Sequence, residues 1–236
     1  MNVRSLEKNH DRVNNFLKTV SPTIACIQEV WQHDRKFQGY KTVQKLRKNK
    51  RGGGVAILVK EGIEYEETAG AITPNIEYLT IKIKQIGTIT NTYLPPANIT
   101  RASIDTLKQI INPKETNYIV GDFNINFLDD RPDQSDASPI EWIHEMNAEK
   151  RLYPLTLNPT RITEKTATLI DNILTNERKN ICTGVIAAHI ADHLCPFVII
   201  KDKEKKQHEN KPKMIGIREM KEANKKEFLE EIKKQS

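Results

Sequence analysis

The sequence predicts an α/β domain in which two β-sheets pack face to face and helices cover the outer faces. Three observations predict it. Many short strand-like runs are interrupted by helical ones, the run at residues 55–59 (Val-Ala-Ile-Leu-Val) is apolar without a break, and the run at 76–83 alternates. A strand apolar on both sides belongs between two layers, whereas an alternating strand has one wetter face. Helices that interrupt such strands must then lie outside the sheets. A chain of 236 residues and 27.1 kDa is long enough for one core of this kind.

The elements follow in order. Leu6, Val13, Phe16, Leu17 and Val20 form an apolar stripe of helical period over residues 5–20, and Pro22 stops the helix. Residues 24–28 read as a short buried strand, and Gly52-Gly53-Gly54 leads into the strand at 55–59. In the next strand Ile81 and Ile83 share one face and Lys82 and Lys84 the other. Gly87 turns the chain into a strand at 88–93 that Pro95-Pro96 ends. Thr100 is a candidate N-cap for an amphipathic helix carrying Ile104, Leu107, Ile110 and Ile111. Tyr118-Ile119-Val120 is a core strand that runs into Gly121-Asp122-Phe123-Asn124. Residues 129–138, rich in Asp, Pro and Ser, form a polar loop before a helix at 139–150, and runs at 168–174 and 196–200 complete the strands.

The last segment is different. Residues 201–213 are charged and nearly devoid of apolar side chains, and Met220, Ala223, Phe228 and Ile232 give a terminal helix too thin a face to build a core. The organisation expected is one domain over residues 1–200, followed by a charged linker and C-terminal helix over 201–236.

Composition excludes several classes. The first ten residues carry no apolar run of the secretory type, and no segment approaches the roughly 18 apolar residues of a membrane span. Cys26, Cys182 and Cys195 are odd in number and lack C-x-x-C spacing, which suggests neither a disulfide framework nor a thiolate zinc site. The net charge of +6 is concentrated in the tail, where twelve Lys or Arg face eight Asp or Glu, leaving 25 against 23 before it. Only local clusters could then meet a polyanion. The clearest is residues 45–51, five bases without an acid, which is as compatible with a solvated loop as with a phosphate contact.

Residues able to handle a metal and a phosphate recur at strand ends. Glu29 follows the strand at 24–28, Asp122 and Asn124 follow residues 118–120, Asp171 lies inside the run 168–174, and Asp192-His193 precedes the last strand. Carboxylates among apolar residues are costly unless paired or bound to a cation. Several of them converging at one end of a sandwich would form a hard-oxygen site for Mg²⁺ or Mn²⁺. Singly each has a blander explanation: Asp122 and Asn124 as turn formers, Glu29 as a turn cap, Tyr93 as an edge aromatic, Asp192-His193 as a surface pair. Asp171 has the poorest one, because Leu169, Ile170, Ile173 and Leu174 surround it.

Taken as an ordered set, the blocks resemble the endonuclease/exonuclease/phosphatase superfamily, and within it the endonuclease domains of non-LTR retrotransposons of the jockey and CR1-like kind. The blocks are Asn2-Val3-Arg4-Ser5-Leu6, Ile27-Gln28-Glu29-Val30-Trp31, Arg51-Gly52-Gly53-Gly54-Val55-Ala56, Tyr93-Leu94-Pro95-Pro96, Gly121-Asp122-Phe123-Asn124, Pro159-Thr160-Arg161, residues 168–174 and Asp192-His193-Leu194. The resemblance implies a four-layered αββα sandwich of two mixed sheets, like that of DNase I. It implies Glu29 as principal metal ligand with Asn2 and Asp192, and Mg²⁺ or Mn²⁺ as cofactor. Asp122 and Asn124 would contact the scissile phosphate or position the attacking water, Asp171 would orient His193, and Tyr93 would donate to a phosphate oxygen. Thr160, Arg161, Lys48 and Arg51 are the expected substrate contacts. Either Asp122 or His193 would serve as general base.

The implied function is nicking of DNA to leave a 3′-hydroxyl, the primer for a reverse transcriptase linked to the domain in the full-length element, with action in the nucleus although no localisation signal is visible. Three departures carry expectations of their own. Ala191 stands where the family has serine, and a lost hydrogen bond of that kind weakens a site by about 0.5–1.5 kcal/mol. The family's strand before the Asn2 block is not seen, which predicts a weakly anchored Asn2. No reverse-transcriptase segment follows the tail. Two other functions stay open: a different superfamily hydrolase (repair nuclease or phosphatase), and a catalytically inactive nucleic-acid-binding remnant.

Overall fold

A computed structural model describes residues 1–31, 34–48, 51–129, 138–179 and 181–201. The elements are α1 (Leu6–Val20), β1 (Ile24–Gln28), β2 (Tyr40–Lys45), β3 (Val55–Lys60), β4 (Glu66–Ile72), β5 (Glu77–Ile83), β6 (Gly87–Tyr93), α2 (Arg101–Ile110), β7 (Asn117–Asp122), α3 (Pro139–Lys150), β8 (Tyr153–Pro154), β9 (Arg161–Ile162), β10 (Ala167–Thr168), β11 (Asp171–Thr175), β12 (Ile181–Ile186) and β13 (Cys195–Ile200). The terminal helix expected beyond residue 201, His33 and nearly all of the polar loop at 129–138 lie outside the described residues.

The layers are those of an αββα sandwich. A three-stranded antiparallel sheet, β1-β3-β2, faces a six-stranded sheet, β4-β5-β6-β7-β11-β8, and β12 pairs with β13 as a separate hairpin. Mixed pairing is confined to the larger sheet, where β6 and β7 run parallel, and to an isolated parallel bridge between Asn2 and Gln28. Between the sheets Val55, Ile57 and Val59 pack with Leu79, Ile81 and Ile83, which is why the run at 55–59 is apolar on both sides. Outside the smaller sheet α1 lays Leu6, Val13 and Leu17 on Ile27, Ala56 and Leu58. Outside the larger one α2 and α3 bury Ile104, Leu107, Ile143 and Met146 against Ile119 and Leu174.

Local chemistry sets the boundaries. Ser5 caps α1 by accepting from Lys8 N, and at the starts of α2 and α3 the Ser103 and Glu141 side chains accept the backbone N–H groups of Thr100 and Ser138. The strand expected at 168–174 divides into β10 and β11, because residues 169 and 170 leave the β9–β10 pair before the chain joins β7. Five strands were not foreseen, among them the two-residue β8 and β9. β2 and β4 are edge strands paired on one side only, with the polar sequences expected of edges, and β12 has partner β13 alone.

Two buried polar contacts cross between the sheets. Asn91 of β6 donates from Nδ2 to Ile27 O of β1 (2.9 Å) and Ala56 O of β3 (2.8 Å), and its Oδ1 accepts from Gln28 Nε2. Glu77 of β5 accepts from Arg47 and from the backbone N–H of Gly54. Both Asn91 and Glu77 are fully buried. Two bases of the run at 45–51 are thereby engaged by acids, Arg47 by the buried Glu77 and Lys45 at the surface by Glu67 (2.7 Å).

Contrary to expectation, Asn2 is firmly anchored. It is 2 % exposed, Val3 N donates to Gln28 O (3.1 Å), and Gln28 N donates to Met1 O (3.1 Å). Asn91→Ala should strand Gln28 and two buried carbonyls, each a loss of roughly 1–3 kcal/mol. A fall of about 3 kcal/mol in unfolding free energy is expected, measured as a lower urea midpoint at unchanged m-value.

Candidate active site

The site forms where β1, β6, β7 and β11 end together. Tyr93, Asp122 and Asp171 lie side by side in register, Tyr93 opposite Asp122 across the parallel pair and Asp122 opposite Asp171 across the antiparallel one. The parallel pair is unusually close at this level: a Cβ on Gly121 would lie 1.9 Å from Thr92 O. Only glycine fits there, so the Gly-Asp-Phe-Asn block starts with a packing requirement.

Glu29 reaches the same level from the other sheet. Its Oε1 accepts from Asn2 Nδ2 (3.0 Å) and the Tyr93 hydroxyl (3.2 Å), and its Oε2 accepts from Trp31 Nε1 (3.4 Å). All three donors are neutral, and among the described residues no basic side chain forms an ion pair with Glu29. Asn2 Nδ2 also donates to Asp122 Oδ2 at 2.9 Å, which links Glu29 to Asp122 through one amide. Asp122 Oδ1 accepts from Asn124 N (3.0 Å), and Asn124 Nδ2 donates to Leu94 O (2.9 Å). The backbone is strained here: Arg4, Ser5, Glu29, Trp31 and Asn124 have φ of 43°, 90°, 54°, 62° and 50°. Left-handed non-glycine residues persist where the surroundings over-determine them, typically at functional sites.

His193 completes the arrangement. Its Nδ1 hydrogen-bonds Asp171 Oδ2 at 2.8 Å, and both residues are buried. Asp171 Oδ1 is buried without a partner among the described residues. Behind it, Thr160 Oγ1 accepts the N–H groups of Ile170 (3.2 Å) and Asp171 (3.0 Å). Thr160 is 0 % exposed, and the contacts of its hydroxyl are to the backbone of Ile170 and Asp171, behind the dyad.

The other predicted residues stand at the rim. Asp192 pairs with Arg4 (3.1 Å) and Arg161 (3.0 Å), and its Oδ1 is 3.9 Å from His193 Nε2. Arg161 is therefore engaged by a carboxylate, and Asp192 as a metal ligand would have to give up these guanidinium partners. Arg51 lies over the Trp31 ring, 5.1 Å from its centroid. Lys48 is exposed.

Sequence reasoning missed Trp31, Arg4 and the Glu77–Arg47 pair. Trp31 and Arg4 lie within the family's sequence blocks, but nothing in their spacing shows that they reach a carboxylate.

Electrostatics follow from the crowding of acids. Burial, then the charge of Asp171, pushes the Asp122 carboxyl well above the usual carboxylate range. Burial opposes a charged His193, but the Asp171 hydrogen bond and the charges of Asp171, Asp122 and Asp192 outweigh it and hold the imidazole above its ordinary value. Asp122, Asp171 and His193 offer ligand atoms within 4.8 Å of one another. The Nδ1–Oδ2 bond occupies one atom of each member of the His193–Asp171 dyad. What remains is oxygen-rich: Asp122, Asp171 Oδ1, the Glu29 carboxylate and the Asn2 amide. An orphaned buried carboxylate oxygen and an acid whose charge is disfavoured fit a hard divalent cation.

Over residues 1–193 the sequence matches the family described as the Endonuclease/Exonuclease/phosphatase family. The chain belongs to it. Among solved structures of this endonuclease/exonuclease/phosphatase fold, the endonuclease domain of TRAS1, a telomere-specific non-LTR retrotransposon, superimposes with a TM-score of 0.67 at 18 % identity, covering 86 % of this chain and 97 % of that one. The 3′-5′ exonuclease NExo of Neisseria meningitidis gives 0.65 at 18 % identity, over 85 % and 97 %. An AP endonuclease from Archaeoglobus fulgidus gives 0.62 at 19 %, over 85 % and 97 %. At these identities the likeness is one of fold, and the family's nuclease and hydrolase chemistry is what the buried Asp122, Asp171 and His193 are equipped for.

Raised pKa values at Asp122 and His193 mean that the folded site holds protons more tightly than the unfolded chain. Stability from both groups is therefore present when they are protonated and is lost as pH rises through their folded values. Metal-free protein should melt at a higher temperature near pH 6 than near pH 8, roughly the range where a raised carboxylate and a raised imidazole titrate. Asp122→Asn should flatten that dependence and raise the melting temperature at the upper pH, as read by calorimetry in chelator.

Proposed function

We propose that this chain is a Mg²⁺-dependent DNA endonuclease, with Mn²⁺ as a substitute, that nicks a strand to leave a 3′-hydroxyl. The observation that carries the reading is the His193–Asp171 dyad buried beside Asp122, with Glu29 brought to the same point from the opposite sheet.

Glu29 with Asn2 would hold the cation, and a bound divalent ion would offset charge on the phosphoryl oxygens as the phosphorane develops. The residues of the chain do the rest. Asp122, its basicity raised by burial and Asp171, takes the proton from the attacking water. Asn124 N fixes one of its oxygens and Asn2 the other, so the carboxylate cannot rotate away. His193, kept protonated by Asp171, presents Nε2 to a phosphate oxygen. Tyr93, whose pKa burial and the nearby acids push upward, stays a neutral donor. The water oxygen bonds to phosphorus, the P–O3′ bond breaks, and the 3′ oxygen takes up a proton from solvent while Asp122 returns the one it gained. At the rim Arg4, Arg161 and Arg51 offer guanidinium groups to the flanking backbone, and exposed Lys48 adds a further cation.

The retroelement reading is supported by the ordered motifs, with Pro95-Pro96 and the run 168–174 favouring that branch, and by the fold shared with the TRAS1 endonuclease domain. It places the chain beside a linked reverse transcriptase acting on nuclear DNA. Ala191 removes one possible hydroxyl, yet the dyad and both Asp122 contacts are in place without it, which weighs against an inactive remnant.

With Mg²⁺ the protein should nick supercoiled plasmid, and chelation should stop it. Asp122→Ala and His193→Ala should each lower the rate by about 10²–10⁴-fold. Equal cutting by wild type and both variants would refute the assignment. Cleavage of phosphoinositides or 3′-phosphates without nicking would move the protein to the phosphatase branch, and DNA binding without cleavage would make it a remnant.

A further inference from the structure

Glu77 is an acid used neither by the strand pattern nor by the mechanism above, and it is 0 % exposed. Its partners are Arg47 and the backbone N–H of Gly54. Burial pushes its pKa up, while Arg47 and the Gly54 N–H pull it back. A buried ion pair of this kind is often no more stabilising than apolar residues of the same size, so its value is sought in what it holds in place.

It holds the glycine loop. The Arg47 side chain lies against Gly53, where a Cβ would be 2.2 Å from its Nε, and Gly52, Gly53 and Gly54 have φ of 90°, 69° and 84°. The loop in turn grips the segment carrying Glu29: Trp31 N donates to Gly53 O (2.8 Å) and Val30 N to Gly54 O (3.2 Å). Trp31, with Arg51 over its ring, then donates from its indole to Glu29 Oε2. A second route runs through the larger sheet, since Glu77 sits opposite Tyr93, the donor to Glu29 Oε1. Each oxygen of the Glu29 carboxylate is thus tied, by a short chain of contacts, to the same buried acid.

We propose that Glu77 and Arg47 are positioning residues for the Glu29 carboxylate, acting through the glycine loop and Trp31, and that they set the affinity of the site for its divalent cation. The proposal rests on the assignment of Glu29 as a cation ligand. Neither residue touches substrate, so their effect belongs to cation binding and not to recognition of DNA.

The test uses intrinsic fluorescence. The chain has two tryptophans, and Trp142→Phe leaves Trp31 as the only indole, adjacent to the proposed ion. Titrated Mn²⁺, a paramagnetic quencher, should then report occupancy directly. Glu77→Gln should raise the Mn²⁺ midpoint by about tenfold or more, the usual effect of removing a partner that orients a ligand, with KM for plasmid unchanged at saturating Mn²⁺. Arg47→Lys keeps the charge but not the fork, and should shift the midpoint in the same direction. The double variant Glu77→Met, Arg47→Met replaces the pair with apolar bulk and decides the matter if Glu77→Gln does not fold. A wild-type midpoint in variants with native near-ultraviolet dichroism would overturn the proposal. Absence of quenching in the wild-type background would instead overturn the Glu29 assignment, and the positioning role with it.

Discussion

The catalytic end of the molecule depends on how two sheets are held in register, and apolar packing alone is a poor guide to register. Val55, Ile57 and Val59 against Leu79, Ile81 and Ile83 would tolerate a small slide, because the hydrophobic contribution is non-directional. The amide of Asn91 is directional. It meets carbonyls of two different strands in the facing sheet while Gln28 closes on its oxygen. Gln28 precedes Glu29 and Asn91 lies two residues before Tyr93, so the polar contact is made one step inward from the site. A fully satisfied buried network of this sort specifies one arrangement over its neighbours.

That precision serves an electrostatically unfavourable assembly. Glu29, Asp122 and Asp171 are brought to one end of the sandwich, Glu29 and Asp122 sharing the Asn2 amide, and among the described residues the cation paired with Asp171 is His193 when protonated. The charged form of Asp122 is disfavoured by the fold, while neutral donors from Asn2, Tyr93 and Trp31 surround Glu29 without cancelling its charge. Such a site is intrinsically unstable toward protonation or cation capture, which is the property a metal-assisted hydrolase needs.

Much of this was legible from residues alone, for definable reasons. The strand at 55–59 and the helix ending before Pro22 were visible because burial on both faces and a helical stripe leave periodic traces. β2 and β4 left none, since an edge strand such as Glu66–Ile72 is chosen for solubility as much as for pairing. In the site, Asp171 stood out as a polar residue in apolar company, and it does meet His193, the partner that the family resemblance implied. Thr160 illustrates the opposite case: its motif marks its place in the chain, but whether a hydroxyl faces substrate or supports a backbone turn depends on three-dimensional direction. Charge counting could not show that within residues 45–51 Lys45 and Arg47 have acidic partners, Glu67 and Glu77, supplied by other strands.

Asp192 holds Arg4 with one oxygen and Arg161 with the other, and these arginines come from opposite ends of the domain sequence. A phosphate approaching Arg4 or Arg161 meets a cation that is already paired. It must exchange with a carboxylate already seated, so attachment there is a swap of one anion for another, and its net gain is the difference between two ion pairs. The entrance thus screens weak anions by internal competition, while a ligand with several phosphates in a row can make the exchange at both guanidinium groups together.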